Sequence, residues 1–137
     1  MNLELSGKRA LVTGSSLGIG RAIAADLLRE GAAVIINGRD ADRLAAAAEE
    51  LSAAGDVTVA AADLSDAAGA ESLLDQIGAP IDILVNNVGV FTVKPFFEIS
   101  DDEWTDMFQL NVMSGVRLAR ALMPAMLEDG WGRIIFI

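Results

Sequence analysis

The sequence has no cysteine, no histidine and no tyrosine, and only two of its ten basic residues are lysines, Lys8 and Lys94. Without cysteine there is no disulfide and no thiolate metal site, which suits a cytoplasmic protein, the compartment expected here. Without histidine the commonest metal ligand and the commonest general base are both missing, so no metal site is expected. Without tyrosine there is no phenol to donate a proton. No apolar run reaches the roughly 18 residues of a membrane span. The start, Met1-Asn2-Leu3-Glu4-Leu5, lacks the basic region and apolar core of a signal peptide. Basic clusters are missing too, and the formal net charge is −10. That balance argues against nucleic acid or an anionic membrane surface as partner.

The chain has 137 residues, of which 53% are hydrophobic and 22% charged. It is read as one globular domain, 1–137, long enough to bury a core. Its organising stretch is Leu11-Val12-Thr13-Gly14-Ser15-Ser16-Leu17-Gly18-Ile19-Gly20. An apolar run ends there in a glycine-rich turn, and a helical pattern starts directly behind it. Such a turn makes an anion site, because N–H groups and the positive end of the helix dipole point outward. The glycines let a phosphate approach without a Cβ in the way. Gly14, Ser16, Leu17, Gly18, Ile19 and Gly20 are therefore candidates for holding a dinucleotide pyrophosphate. An ordinary strand–turn–helix connection is the plainer reading. The spacing is G-x-x-x-G-x-G rather than G-x-G-x-x-G, and no Lys-Ser or Lys-Thr follows to make a P-loop.

Strands are expected at 9–13, 33–37, 57–62, 81–85 and 133–137, with helices at 19–30, 41–54 and 66–76 and a long helical region from about 100 to 128. Ser100-Asp101-Asp102-Glu103 matches a capping box at the head of that region. Alternating strands and helices predict an α/β fold, a doubly wound parallel sheet of the Rossmann type in the order 3-2-1-4-5. Strands two to five lack polar alternation, as expected where helices cover both faces. Ligands in such sheets lie beyond the carboxyl ends of the strands, where Gly14, Asn37, Asp63 and the 86–89 segment all fall. In 104–127, Leu110, Val112, Met113, Val116, Leu118, Leu122, Met123, Met126 and Leu127 cover nearly the whole circumference, so a second covering element or another subunit is expected. Pro124 either kinks this helix or begins its last segment.

Strand two ends in Asn37-Gly38-Arg39-Asp40. An acid at this strand end would bind the ribose 2′-OH of NAD, whereas an arginine nearby accommodates the 2′-phosphate of NADP. Position 37 is Asn and Arg39 lies two residues on, so NADP is favoured over NAD; a solvated surface arginine is the alternative. Asp40 could bond a ribose or cap the next helix. Asp63 could accept from the adenine amine with Leu64 packing the ring, or be a plain loop acid. Asn86 and Asn87 after a buried strand need partners, and Gly89 permits close backbone approach. Asn111, flanked by Leu110 and Val112, is read as a buried amide with a specific job, or as a water-satisfied kink.

Thr13-Gly14-x-x-x-Gly18-x-Gly20, Asp63-Leu64, Asn86-Asn87-Val88-Gly89 and Leu110-Asn111-Val112 together resemble the short-chain dehydrogenase/reductase family in order and spacing, near 3-oxoacyl-carrier-protein reductases and sugar or polyol dehydrogenases. Val88 replaces the family's usual Ala. The resemblance implies that residues 14–20 hold the pyrophosphate, that Asp63 and Leu64 face the adenine, and that Asn87, Val88 and Gly89 line the nicotinamide-side ribose. It also implies that Asn111 is the active-site Asn, holding a water in a proton relay.

The family's catalytic Ser and Tyr-x-x-x-Lys lie on and after strand five, and this sequence supplies none of them. The expectation is therefore the cofactor-binding part of an NADP-dependent oxidoreductase. It would pass hydride to or from a carbonyl or alcohol substrate, be truncated after strand five, be inactive as 1–137 alone, and be a homo-oligomer when full length. The competing reading is a non-catalytic nucleotide-binding or interaction module, natural at this length.

Overall fold

The computed structural model describes residues 2–78 and 80–137. In chain order the elements are β1 (Arg9–Val12), α1 (Gly18–Arg29), β2 (Ala33–Gly38), α2 (Ala41–Leu51), β3 (Val57–Ala61), α3 (Ala67–Ile77), β4 (Ile83–Asn86), a 3-10 turn at Phe96–Glu98, α4 (Asp101–Phe108), a π-helical turn at Gln109–Met113, α5 (Ser114–Asp129) and β5 (Arg133–Phe136). The strands form one parallel sheet in the order β3-β2-β1-β4-β5, as the alternation of elements predicts.

Strand pleating divides the core into two layers. On one face Ala10, Val12, Val34, Ile36, Ile83 and Val85 pack against Ala24 and Leu28 of α1 and Leu44, Ala47 and Leu51 of α2. On the other, Leu11, Ile35, Ala60 and Leu84 pack against Ala70, Leu73 and Ile77 of α3 and Leu118, Leu122 and Met126 of α5. Adjacent residues of β1 thus serve opposite layers, and none of Ala10, Leu11 or Val12 retains exposed surface. The outer strands differ: Val59 of β3 and Ile135 and Phe136 of β5 remain substantially exposed, so full coverage does not extend to the sheet edges. No helix among the described residues is long and apolar enough to cross a membrane.

Local rules set the helix starts. Asp40 accepts from the Arg43 N–H and caps α2, Asp66 accepts from the Gly69 N–H and caps α3, and Ser100 and Glu103 complete the capping box of α4. Asp40 is thereby assigned to the cap. Several boundaries depart from expectation. α2 stops at Leu51, ahead of a Ser52–Gly55 turn, and β4 starts at Ile83. Before β4, Asp82 is occupied in bonding the Arg9 backbone on both sides.

The long helical region is not one helix. A π turn at Gln109–Met113 divides it, while Pro124 lies inside α5 without ending it. Its apolar circumference is half used: Leu110, Leu118, Leu122 and Met126 are buried, and Val112, Met123 and Leu127 are exposed.

Candidate functional site

Four loops meet at the carboxyl ends of the strands, and two side chains staple them. Thr13 is fully buried at the end of β1. Its Oγ1 accepts hydrogen bonds from the N–H groups of Asn87 and Val88, both at 3.0 Å, and donates to the Val85 carbonyl at 3.4 Å. The Asn87 side chain answers by donating through Nδ2 to the carbonyls of Thr13 (3.0 Å) and Gly14 (2.9 Å). Asn87 therefore braces the glycine turn from below rather than bordering the open space above it. Its neighbour Asn86 is buried with neither amide atom partnered among the described residues; its side chain packs beside Gly115 and Phe136.

The glycine turn is shaped by two different demands. Gly18, at the start of α1, has φ +61°, and a Cβ there would meet nothing within 4 Å. It is glycine for its backbone conformation, and the space over it is open. At Gly20 a Cβ would lie 2.5 Å from both the Asn87 Nδ2 and the Gly14 carbonyl oxygen, so this position is glycine because the helix must sit against the stapled turn. Between them Ile19 is exposed, as is Leu17, the N-cap of α1. Alone among helices α1 to α4, α1 begins with neither a side-chain cap nor an acidic residue in its first turn that accepts its orphan N–H groups. Leu17, at the head of this turn, borders the open space at the strand ends.

Asn37 is not where a ribose ligand would be expected. Only 1% exposed, it donates through Nδ2 to Ala60 O (3.0 Å) and Ala62 O (3.3 Å) and accepts at Oδ1 from the Gly14 N–H (3.4 Å). Its backbone exchanges bonds with Ser15, Asn37 N donating to Oγ at 3.0 Å and Ser15 N to Asn37 O at 2.8 Å. The end of β2 thus ties the glycine turn to β3, and the amide is fully used.

An open cavity of about 610 Å³ lies over these loops. Gly14, Ser16 and Leu17 border it from the first loop, Asn37, Gly38, Arg39, Asp40 and Arg43 from the second, Ala62, Asp63 and Leu64 from the third, and Val88, Gly89, Val90 and Leu110 from the remainder. Of the residues expected to bind a cofactor, Gly14, Ser16, Leu17, Arg39, Asp63, Leu64, Val88 and Gly89 are brought to this one space. Gly18, Ile19, Gly20 and Asn87 shape or flank it. Asp63 is exposed, with Oδ1 accepting from the Ser65 N–H at 3.0 Å. Leu64 is 1% exposed, and its side chain belongs to the core beside Leu73, so it underpins the cavity wall more than it faces a ring.

Arg43 was not legible as a site residue. The usable signal was its place in the first turn of α2, because helix starts in this architecture face the strand ends. It also acts on Asp40, whose pKa is lowered chiefly by the hydrogen bond from the Arg43 backbone N–H and further by the Arg43 charge.

Asn111 is exposed rather than buried, and both ends of its amide are occupied. The Val90 N–H donates to Oδ1 and Nδ2 donates to the Val90 carbonyl, each at 2.7 Å. It sits in the π turn, which places its amide against the loop after β4. Farther along that loop Lys94 donates to both Glu103 carboxylate oxygens, at 2.8 and 3.0 Å. Glu103, which also accepts from the Ser100 N–H, is held down to a pKa of about 2, first by the Lys94 bond and then by the Ser100 backbone.

Within this frame the loops surround one open space that carries charge of both signs at its border. The ionisable side chains bordering the cavity are Arg39, Arg43, Asp40 and Asp63. Among the described residues no three His, Cys, Asp or Glu side chains form a metal-holding group.

The same arrangement recurs in known proteins. Over 139 residues the chain is 49% identical to the uncharacterized oxidoreductase YvaG of Bacillus subtilis, covering 100% of this chain and 53% of that protein. It is 41% identical over 140 residues to the 3-oxoacyl-[acyl-carrier-protein] reductase FabG of Escherichia coli, covering 56% of it. Among solved structures it matches L-sorbose reductase from Gluconobacter frateurii, complexed with NADPH and L-sorbose, with a TM-score of 0.93 and 38% identity, over 99% of this chain and 54% of that one. The chain thus spans about half the length of the relatives it matches. The family model for short chain dehydrogenases fits residues 8–137, taking in the glycine turn, the stapled loops and Asn111 together. By that match, in the strand order and loops just described, this chain belongs to the short-chain dehydrogenase family.

Proposed function

We propose that this chain is the NADP-binding part of an oxidoreductase that passes hydride between NADP(H) and a small carbonyl or alcohol substrate. The observation that carries the reading is the uncapped N-terminus of α1 beside an open cavity that Arg39 also borders. The orphan N–H groups of the first turn suit a pyrophosphate, the open space over Gly18 leaves room for it, and Arg39 lies where a 2′-phosphate would follow. In this reading Gly14, Ser16, Leu17, Gly18, Ile19 and Gly20 receive the pyrophosphate, Asp63 and Leu64 the adenine side, and Val88 and Gly89 the nicotinamide-side ribose, with Asn87 holding the turn in shape. NADPH, when bound, supplies the hydride.

Asn111 fixes Val90 at the cavity wall through both ends of its amide, and the family resemblance makes it the residue we assign to holding a water of a proton relay. The acid that protonates a carbonyl comes from outside residues 1–137, which hold no tyrosine or histidine. The L-sorbose reductase solved with NADPH supports the cofactor assignment, since 99% of this chain matches 54% of that protein. The exposed Trp104 and Phe108 of α4, Val112 of the π turn, and Met123 and Leu127 of α5 support a homo-oligomer assembled through these side chains, and a sequence without cysteine fits the cytoplasmic setting of this reading.

Calorimetric titration with NADPH and NADH tests the reading. NADPH is expected to bind, with NADH weaker by at least tenfold. Failure to bind either nucleotide would overturn it and leave a non-catalytic interaction module as the better account.

A further inference from the structure

Arg39 and Arg43 both border the cavity, and they differ from most cations of the chain. Lys8, Arg21, Arg29 and Lys94 are ion-paired. Neither Arg39 nor Arg43 has an ion pair or side-chain hydrogen bond to any described residue. Two guanidiniums with unspent donors therefore stand at one mouth, in a chain of net charge −10.

Local charge explains why one arginine is not enough there. Asp40 adjoins Arg39 in sequence, borders the same cavity, and is committed as an anion by its role as the α2 cap. A doubly charged phosphate arriving at Arg39 meets that carboxylate as well. Arg43, one helical turn away, offsets it and offers a second planar fork suited to phosphate.

Resting on the NADP reading above, we infer that Arg43 is a second determinant of cofactor choice, binding the 2′-phosphate jointly with Arg39 while cancelling the repulsion from Asp40. The cap of α2 uses only the backbone N–H of Arg43, so its side chain is free for this task.

The test is calorimetric titration of the protein and its Arg43→Ala, Arg43→Lys and Arg39→Ala variants with NADP, NAD and adenosine 2′,5′-bisphosphate. The last probe carries the phosphate without the nicotinamide. Loss of one charge-assisted phosphate contact corresponds to roughly 10–100-fold in affinity. Arg43→Ala is expected to weaken NADP and the bisphosphate by about that factor while leaving NAD within about threefold, and Arg43→Lys to recover part of the loss. If Arg43→Ala leaves NADP binding unchanged while Arg39→Ala weakens it, the inference falls and the NADP reading stands. Equal losses for NADP and NAD also overturn it, showing a structural role. If the unsubstituted protein binds none of the three, both readings fall together. A matching thermal midpoint for Arg43→Ala confirms that the comparison is between folded proteins.

Discussion

Asn111 and Val90 lock to each other through a closed pair of hydrogen bonds, each 2.7 Å long, in which one amide side chain satisfies both backbone groups of one loop residue. Because a π turn carries Asn111, the irregular helix and the cavity wall are mechanically one unit. Replacing Asn111 with Leu removes both bonds and is expected to speed hydrogen exchange at the Val90 amide by at least tenfold. Asn111→Asp keeps the acceptor but sets a carboxylate against the Val90 carbonyl, so it should fall between the two. Exchange measured by NMR checks the order; an unchanged Val90 rate in Asn111→Leu would show that the loop is held by other means.

Thr13 offers one oxygen to two backbone donors. Thr13→Val keeps the shape but leaves the N–H groups of Asn87 and Val88 without an acceptor, at a cost of about 2–4 kcal/mol. Thr13→Ser should cost less than about 1 kcal/mol, since the hydroxyl remains. Urea denaturation of the three proteins measures the difference.

Gly18 and Gly20 should respond differently to alanine. At Gly18 the penalty is the left-handed backbone, about 1–2 kcal/mol, and the added methyl points into open space where a nucleotide would lie. At Gly20 the methyl strikes the Gly14 carbonyl oxygen and the Asn87 amide, so the stapled turn must shift. Gly20→Ala should therefore disturb the Asn87 side-chain resonances, whereas Gly18→Ala should leave them in place.

The Lys94–Glu103 pair gives the β4–α4 loop an acid-sensitive tether. Glu103 has a folded pKa of about 2, lowered from 4.5. A depressed carboxylate pKa contributes stability that is fully present above the unfolded value and is lost as pH falls through the folded one. The contribution of Glu103 should therefore be constant above about pH 5 and fade between about 4.5 and 2. Urea midpoints of the unsubstituted protein and Glu103→Gln should differ at neutral pH and converge across that window; a gap that persists at pH 2 would contradict the assignment.

Much of this arrangement was legible from local chemistry. Glycine at 14, 18 and 20, the carboxylate at 40 and the Ser100–Glu103 box act on neighbours a few residues away, and a sequence displays such relationships directly. The strand order followed because parallel strands leave few ways to wind helices on both sides. What stayed hidden depends on distant partners. Asn37 reads as the end of a strand beside a ligand, yet its amide is consumed by Ala60, Ala62 and Gly14. The π turn exists in company with the Asn111–Val90 lock, across 21 residues of chain. Leu64 reads as a platform for a ring; it borders the cavity and is at the same time a core residue, 1% exposed, a double role that only the packing around it reveals. Arg43 carries only one such local signal, its place in the first turn of α2; residue type alone does not mark that it borders the cavity.

The full commitment of Asn37 bears on how the nucleotide preference proposed above could change over evolutionary time. An acidic residue at position 37 would lose both donors now given to Ala60 and Ala62 and would place a carboxylate against two carbonyl oxygens, so a drift toward NAD by that substitution would first damage the fold. Arg39 and Arg43 carry no such structural debt. The path from one nucleotide to the other is therefore open at the rim of the cavity and closed at its root.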